Sequence, residues 1–329
     1  MQHPHSSVLG IALAGVLAIG SVSANADTFG LPGFEFAIDF VNIGNAGNAD
    51  DSAPNGGPYG GVAYDYRIGK FEISQDAISK ATASGLSNVS AGPHAGNKPA
   101  ANMTWFEAAA FVNWLNESTG HQKAYDLNES ANALMLWDSG NAWANDPGVG
   151  SDLNLYRHKD AFYFLPSEDE WYKAAFHKND GVTANYWDYA TGSDSPPTQE
   201  LTGGTYPGSA VYNGVEPGRP AGPADVDLAG GLSPYGTAGQ DGNVYEWGES
   251  AFDGINDSPD ENRVIRGGYW NAAEQNLRSS DRVSVAQAGS GAFIGFRVAS
   301  VGEIVPEPSA TLLAGYGLAL IALRRRARR

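Results

Sequence analysis

The chain has 329 residues, a formal net charge of −17 at pH 7 and no cysteine. Such an excess of acid argues against nucleic acid or an anionic membrane surface as partner, since both call for positive charge, and makes cations the better company. Without a thiol there can be no cysteine nucleophile, thiolate metal site or disulfide staple, and the 42 Gly, with many Asn and Asp, predict a loop-rich fold.

In chain order, Ile11 to Val22 is a short run of small and apolar residues followed by Ala24-Asn25-Ala26. That pattern suits a signal peptide cut before Asp27, although the leading segment lacks Lys and Arg; a buried N-terminal helix is the alternative. The alternation of Phe34, Phe36, Ile38 and Phe40, running on to Ile43, predicts a strand. Asn45 to Gly61 reads as loop, and Val62 to Ile73 as a second strand with Tyr64, Tyr66 and Ile68 alternating.

A helix is expected over Gln75 to Ala83. Thr104-x-x-Glu107 is a capping box, in which the hydroxyl accepts from the third residue's amide and the carboxylate reaches back. It opens a helix with Ala108, Phe111, Val112 and Leu115 on one face, closed near Gly120. Ser167-x-x-Glu170 is a second box, opening a helix that turns Trp171, Ala174 and Ala175 inward. The acidic run Glu168-Asp169-Glu170 then reads as ordinary first-turn charge. Asn179 to Gly239 has little periodicity, and a loop of that length needs a packed reason to exist. Val264 to Gly267 and Gly295 to Ser300 read as short strands.

The chain ends with Val305-Pro306-Glu307-Pro308-Ser309, an apolar stretch from Thr311 to Leu323, and a cluster of arginines. At about 1.5 Å per residue the stretch reaches only about 20 Å, short of a roughly 30 Å hydrocarbon core. The order of Pro-Glu-Pro, short apolar helix and Arg cluster resembles the PEP-CTERM sorting tail of Gram-negative bacteria; an ordinary C-terminal anchor is the alternative. The resemblance implies a transient inner-membrane anchor, cleavage by an exosortase at Pro306-Glu307-Pro308, and delivery to the outer surface or extracellular matrix. The expected organisation is residues 1–26 as signal peptide, 27–304 as one folded domain and 305–329 as tail, with signal peptidase and exosortase as export partners.

Within that domain, Tyr66 to Ser74, Asn102 to Ala109, Phe164 to Trp171, Gly239 to Trp247, Arg266 to Trp270 and Gly295 to Ala299 occur in an order that resembles the formylglycine-generating enzyme, or sulfatase-modifying factor, family. The resemblance implies a C-type-lectin-like α+β fold, loop-rich, with few short strands and about three helices. Aerobic members carry a copper-binding cysteine pair shortly after the Gly-Gly of the Arg266 motif. Aligned on Gly267-Gly268, this chain places Ala272 and Leu277 there, so thiol-based formylglycine generation is excluded on chemical grounds. The related iron enzymes cluster histidines, whereas His94, His121, His158 and His177 are dispersed; neither copper nor iron is expected.

The resemblance also implies a structural Ca²⁺ held by the carbonyls of Gly242 and Val244 and the carboxylate of Glu246, oxygen donors of the kind a hard cation takes. A plain turn before the strand bearing Trp247 is the alternative. The upstream position, commonly Asn or Asp, is Gly239 here, and Asp241 lies two residues off. Asn213 is a candidate for a second calcium site. Trp270, Asn271, Arg278 and Arg282 are candidates to line the family's substrate groove, although arginine–carboxylate bracing accounts equally for Arg266, Arg278, Arg282 and Arg297. Tyr186-Trp187-Asp188-Tyr189 is a candidate sugar-stacking segment or core packing. The functional expectation is a non-catalytic surface or matrix module that binds a glycan or matrix polymer; an enzyme of divergent chemistry on the same scaffold is the alternative.

Overall fold

A computed structural model describes residues 26–52, 58–90, 92–128, 130–144, 153–200, 203–214 and 222–301. The apolar leader, Ala24, the Pro306-Glu307-Pro308 motif and the terminal Arg cluster lie outside the described residues. Among the described residues no helix is long and apolar enough to cross a membrane.

The strands and helices in chain order are β1 (Ala26–Phe29), β2 (Phe36–Ile43), β3 (Tyr66–Gly69), α1 (Gln75–Ala83), α2 (Trp105–Ser118), β4 (Asp126–Asn128), β5 (Ala133–Met135), β6 (Ala142–Ala144), β7 (Leu153–His158), β8 (Tyr163–Phe164) and α3 (Glu168–Phe176). Then follow β9 (Thr198–Gln199), β10 (Ser209–Ala210), β11 (Tyr245–Ala251), β12 (Arg263–Arg266), β13 (Val283–Val285), β14 (Ile294–Gly295) and β15 (Ala299–Ser300). One antiparallel sheet runs β1-β2-β3-β15-β8, and a second runs β13-β12-β11-β14 with β14 parallel to β11. This is the loop-rich α+β architecture the motifs imply.

Both capping boxes form. Thr104 and Ser167 each accept from the amide of the third helical residue, while Glu107 and Glu170 return to the cap backbone. α2 buries Ala108, Phe111, Val112 and Leu115 as its spacing predicts, against Phe36, Phe164 and Phe296 among others in the main core. α3 departs from expectation: all nine of its residues are buried, not one stripe. It is enclosed on every side, so its polar residues need partners of their own.

Three strand expectations are revised. Phe34 is 46 % exposed and lies ahead of β2, which starts at Phe36. Of Val62 to Ile73 only Tyr66–Gly69 pairs as a strand. Gly295 to Ser300 is not one strand, because β14 joins one sheet and β15 the other. Phe296, Arg297 and Val298 cross between them, all with 0 % exposure. The long Gly-rich stretch is packed through the β9–β10 pair and a single turn of 3₁₀ helix at Val226–Leu228.

Candidate functional site

The positions aligned with the family's thiol pair lie in the segment after β12. Ala272 is 3 % and Leu277 0 % exposed, and both belong to an apolar cluster with Tyr189, Ala210 and Tyr212, capped by Tyr269. The backbone fixes this arrangement: Asn213 N donates to Ala272 O at 2.8 Å, and Ala272 N to Tyr269 O at 2.8 Å. Methyl and isobutyl groups occupy this volume and offer neither a nucleophile nor a metal donor.

Of the residues expected to line a groove, Arg282 is a brace. Its guanidinium meets both oxygens of Glu168 at 2.9 and 2.7 Å, donates to Phe252 O and lies 3.9 Å over the Phe252 ring. Arg266 binds the same carboxylate from the other side at 2.7 Å through Nε. The Glu168 carboxylate therefore anchors two arginines, which is more than the first-turn charge the sequence suggested. Arg278 is exposed and bonds Tyr189 Oη at 2.9 Å and Glu274 at 3.1 Å. Trp270 and Asn271 are half-buried, the Trp270 ring lying against the Gly214 backbone.

A second brace escaped sequence reading. Arg157, 0 % exposed, holds Glu170 at 3.0 and 2.9 Å and Glu249 at 2.9, 3.1 and 2.7 Å, with its guanidinium 3.7 Å from the Phe164 ring centre. Tyr125 and Asn154 add further hydrogen bonds to Glu249.

The histidines stay apart in roles of packing. His121 stacks on Phe162 at 4.3 Å, His158 meets Trp137 edge-on at 4.6 Å, His177 bonds Tyr235 Oη at 2.9 Å, and His94 reaches Ala292 O at 3.4 Å. Burial lowers the pKa of His94, His158 and His177. Tyr186 packs against Tyr172 and His177 and bonds Asn48 at 2.7 Å, so it serves the core; Trp187 carries the Lys178 ammonium 3.8 Å over its ring.

The loop before β11 gathers the charged groups of most interest. Gly242 has φ +96°, and a Cβ there would stand 2.1 Å from Val211 O, so only glycine fits. Glu246, at the start of β11, is 1 % exposed. Its Oε2 accepts from Trp171 Nε1 at 2.8 Å and Arg297 Nε at 2.5 Å, and its Oε1 from Arg297 Nη2 at 2.5 Å. Glu72, 3 % exposed, accepts from Asn243 Nδ2 at 2.9 Å through Oε1, while its Oε2 is buried without a partner. Burial, then the Glu246 charge, pushes the Glu72 carboxyl up to about 8. Asn213, exposed and at φ 51°, gives its carbonyl to Gln199 Nε2 at 2.8 Å.

The family model for the sulfatase-modifying factor enzyme 1-like domain matches residues 47–301. The chain belongs to that family. Solved structures share the fold. The chain is 20 % identical to Treponema denticola variable protein 1, with a TM-score of 0.56, 84 % of this chain covered and 99 % of that one. PvdO from Pseudomonas aeruginosa is 18 % identical with a TM-score of 0.51, covering 84 % and 98 %. CarF is also 18 % identical, with a TM-score of 0.52, covering 81 % and 99 %. No curated protein matches.

On this sulfatase-modifying factor scaffold the implied calcium can be tested against the residues present. Glu246 already has a guanidinium, but Glu72 and Glu246 together outnumber Arg297 and leave one negative charge uncompensated when both are ionised. The orphaned Glu72 Oε2 is the donor Gly239 lacks: a Cβ on residue 239 would lie 2.6–2.7 Å from the Glu72 carboxyl atoms. Glu72 thus fills the space of the missing side chain, and an all-oxygen set with an unpaired carboxylate fits a hard cation. Sequence reading did not single out Glu72, because it lies 171 residues from its partner Asn243.

Proposed function

We propose that this chain is an exported, non-catalytic binding module, displayed at the outer surface or in the extracellular matrix, that uses the sulfatase-modifying factor fold as scaffold. The observation that carries the reading is the apolar filling of the thiol-pair position by Ala272 and Leu277. A buried methyl and isobutyl group cannot activate oxygen or accept a substrate thiol.

The ligand class that suits the surface is a glycan or matrix polymer. An open groove of 590 Å³ is lined by the amides and hydroxyls of Asn88, Ser90, Asn102, Thr104, Asn132 and Ser290, together with Val89 and Glu107. It adjoins a smaller pocket that adds Phe106 and Leu127. Amides and hydroxyls beside an aromatic edge match the hydroxyl rims and apolar faces of sugars. This favours that groove over the Trp270–Arg282 face, where Arg282 is saturated by Glu168. A structural Ca²⁺ held by Glu246, Glu72 and the carbonyls of Gly242 and Val244 belongs to the same reading; Asn213 would serve a second such ion.

Export is part of the proposal. The first described strand starts at Ala26, so cutting before Asp27 keeps the Asp27 pairing with Ile38. The test is retention of the purified protein on immobilised bacterial polysaccharides, alongside an Asn88→Ala/Asn132→Ala variant. Specific retention that the variant loses is expected. Oxidation of a cysteine-containing peptide by the wild type, or no retention on any polymer, would count against it.

A further inference from the structure

Four buried glutamates in this molecule share a pattern. Glu168, Glu170, Glu246 and Glu249 are each 3 % exposed or less, and each is held by at least one arginine. Asp241 stands outside that pattern. It is 4 % exposed and among the described residues has no ion pair; its Oδ2 accepts from Thr191 N at 2.9 Å, with Ala190 N and the Thr191 side chain also favouring its charged form. Its Oδ1 and the Thr191 hydroxyl oxygen are both buried without hydrogen-bond partners.

Both residues line one small cavity. Its other polar walls are Ser209, Ser233, Thr237 and Gln240, and no basic side chain of the described residues lines it. The free volume is 10 Å³, about what one water-sized sphere occupies. Two of the wall hydroxyls have committed their protons: Ser209 Oγ donates to Tyr206 O at 2.8 Å, and Thr237 Oγ1 donates to Ser233 Oγ at 2.7 Å or to Gln240 Oε1. Their lone pairs remain for an acceptor-seeking guest. A carboxylate, several hydroxyl oxygens, no cationic side chain among the described residues and room for one atom describe a place for a hard monatomic cation.

We propose that this cavity binds a single oxygen-ligated cation, Ca²⁺ or Na⁺, through Asp241 Oδ1 and the Thr191 hydroxyl. The site is separate from the Glu246 cluster: Glu72 and Glu246 do not line it. Its placement gives it a mechanical role. Thr191 lies in the Tyr189–Gly192 turn, Ser209 lies on β10, Ser233 and Thr237 form a turn, and Asp241 leads into β11. The ion would pin the long Asn179–Gly239 stretch, which has little regular structure, at several points along its length.

The experiment takes the purified full chain, strips it with chelator into a potassium buffer, and titrates CaCl₂ or NaCl while following thermal unfolding and hydrogen exchange at residues 189–192 and 231–239. Wild type, Asp241→Asn, Thr191→Val and Glu246→Gln are compared, and crystals grown with each cation are examined for density in the cavity. Expected are cation density at Asp241 Oδ1, slowed exchange in both segments, and at least a tenfold loss of cation affinity in Asp241→Asn with Glu246→Gln keeping this response. Asp241→Asn removes charge at constant shape, so it is expected to fold; Thr191→Val provides a second, independent variant. Saturation by Na⁺ with no further response to Ca²⁺ identifies the ion as sodium, and the reverse as calcium. The inference is overturned if the cavity holds only water at saturating cation, or if Asp241→Asn binds as wild type does. Cation binding abolished by Glu246→Gln and untouched by Asp241→Asn leaves calcium at Glu246 standing and removes this site.

Discussion

Arg297 clasps Glu246 through two nitrogens at 2.5 Å, and the same guanidinium donates to Gly69 O and Ala238 O at 2.8 Å. Gly69 ends β3 in one sheet and Glu246 lies on β11 in the other, so this one side chain ties the sheets at the crossing between β14 and β15. Both partners are essentially inaccessible to solvent. Removing one member of such a pair strands the other charge in a low-dielectric site, at about 3–5 kcal/mol. Arg297→Met is therefore expected to lower unfolding free energy in urea by about that amount, with Arg297→Met/Glu246→Gln recovering part of it. Equal losses in the single and double variants would contradict the coupling.

Much of the fold was legible because its signals are local. Ser167 and Glu170, or Thr104 and Glu107, sit three residues apart, and one turn of helix brings them together whatever the rest of the chain does. The bounds of α1 follow in the same way from the Ser74 cap, whose side chain accepts from Ala77 N at 3.2 Å. The braces are different in kind. Arg157 meets Glu249 across 92 residues and Arg297 meets Gly69 across 228, and no spacing rule connects such partners. The breadth of burial on α3 was hidden for the same reason, since Glu168 and Glu170 look like solvent-facing first-turn acids until Arg266, Arg282 and Arg157 close over them. The loss of the thiol pair was plain in the letters Ala272 and Leu277. That an apolar cluster fills the space needed coordinates.

Gly239 and Glu72 compete for one volume. Asparagine tolerates the left-handed conformation that residue 239 adopts at φ +78°, so the obstacle to Gly239→Asn is the Glu72 carboxyl 2.6–2.7 Å from its Cβ. Overpacking of this kind costs about 1–3 kcal/mol. A double-mutant cycle measured by chemical denaturation is expected to show Gly239→Asn destabilising alone and close to neutral in a Glu72→Ala background. Additive effects would mean the two side chains do not share that space. Under the calcium reading, the double variant also regains Ca²⁺-dependent thermal stabilisation that Glu72→Ala lacks.

Buried acids also set the pH response. Burial pushes Glu72 to about 8, with Glu246 adding to the effect, and pushes Asp241 to about 7. A carboxyl whose folded pKa is raised binds more protons in the fold than in the unfolded chain, so its contribution is complete below the unfolded value and is lost as pH rises through the folded one. In a chelated buffer without added sodium, stability carried by these groups is expected to fall between about pH 4 and pH 8. Urea midpoints at pH 5 and pH 8.5 measure this for wild type and for Glu72→Gln/Asp241→Asn. A flatter profile in the variant is expected; an unchanged one would show that other groups carry the dependence.

Cysteines restored at the thiol-pair positions are expected to stay shielded. Leu277 has no exposure and Ala272 only 3 %, and a thiolate must reach solvent or substrate to react. Alkylation of an Ala272→Cys/Leu277→Cys variant by iodoacetamide should therefore be at least tenfold slower in the native protein than in urea, with no peptide-thiol oxidation after copper loading. Rapid native labelling of both sites would reveal an open groove and favour the enzymatic alternative.

Under the export proposal, the point of cleavage has a structural consequence. Asp27 Oδ2 accepts from Arg67 Nη2 at 2.7 Å and from Tyr163 Oη at 2.8 Å, and the Arg67 guanidinium lies 4.6 Å over the Phe40 ring. Asp27 sits on β1 at the edge of its sheet, opposite Ile38. Cleavage after Ala26 preserves that pair and the rest of the strand; cleavage a few residues later removes the counter-charge from an arginine whose side chain is only 6 % exposed. On that proposal, intact-mass analysis of the protein recovered outside the cytoplasm is expected to place its first residue at Asp27. Asp27→Ala should cost about 1.5–3 kcal/mol in urea unfolding, the range for hydrogen bonds to charged groups, and Asp27→Asn less, because its amide oxygen can still accept. A mature protein that begins beyond Phe29 would lack β1 altogether, and finding one would show that Arg67 is satisfied in some other way.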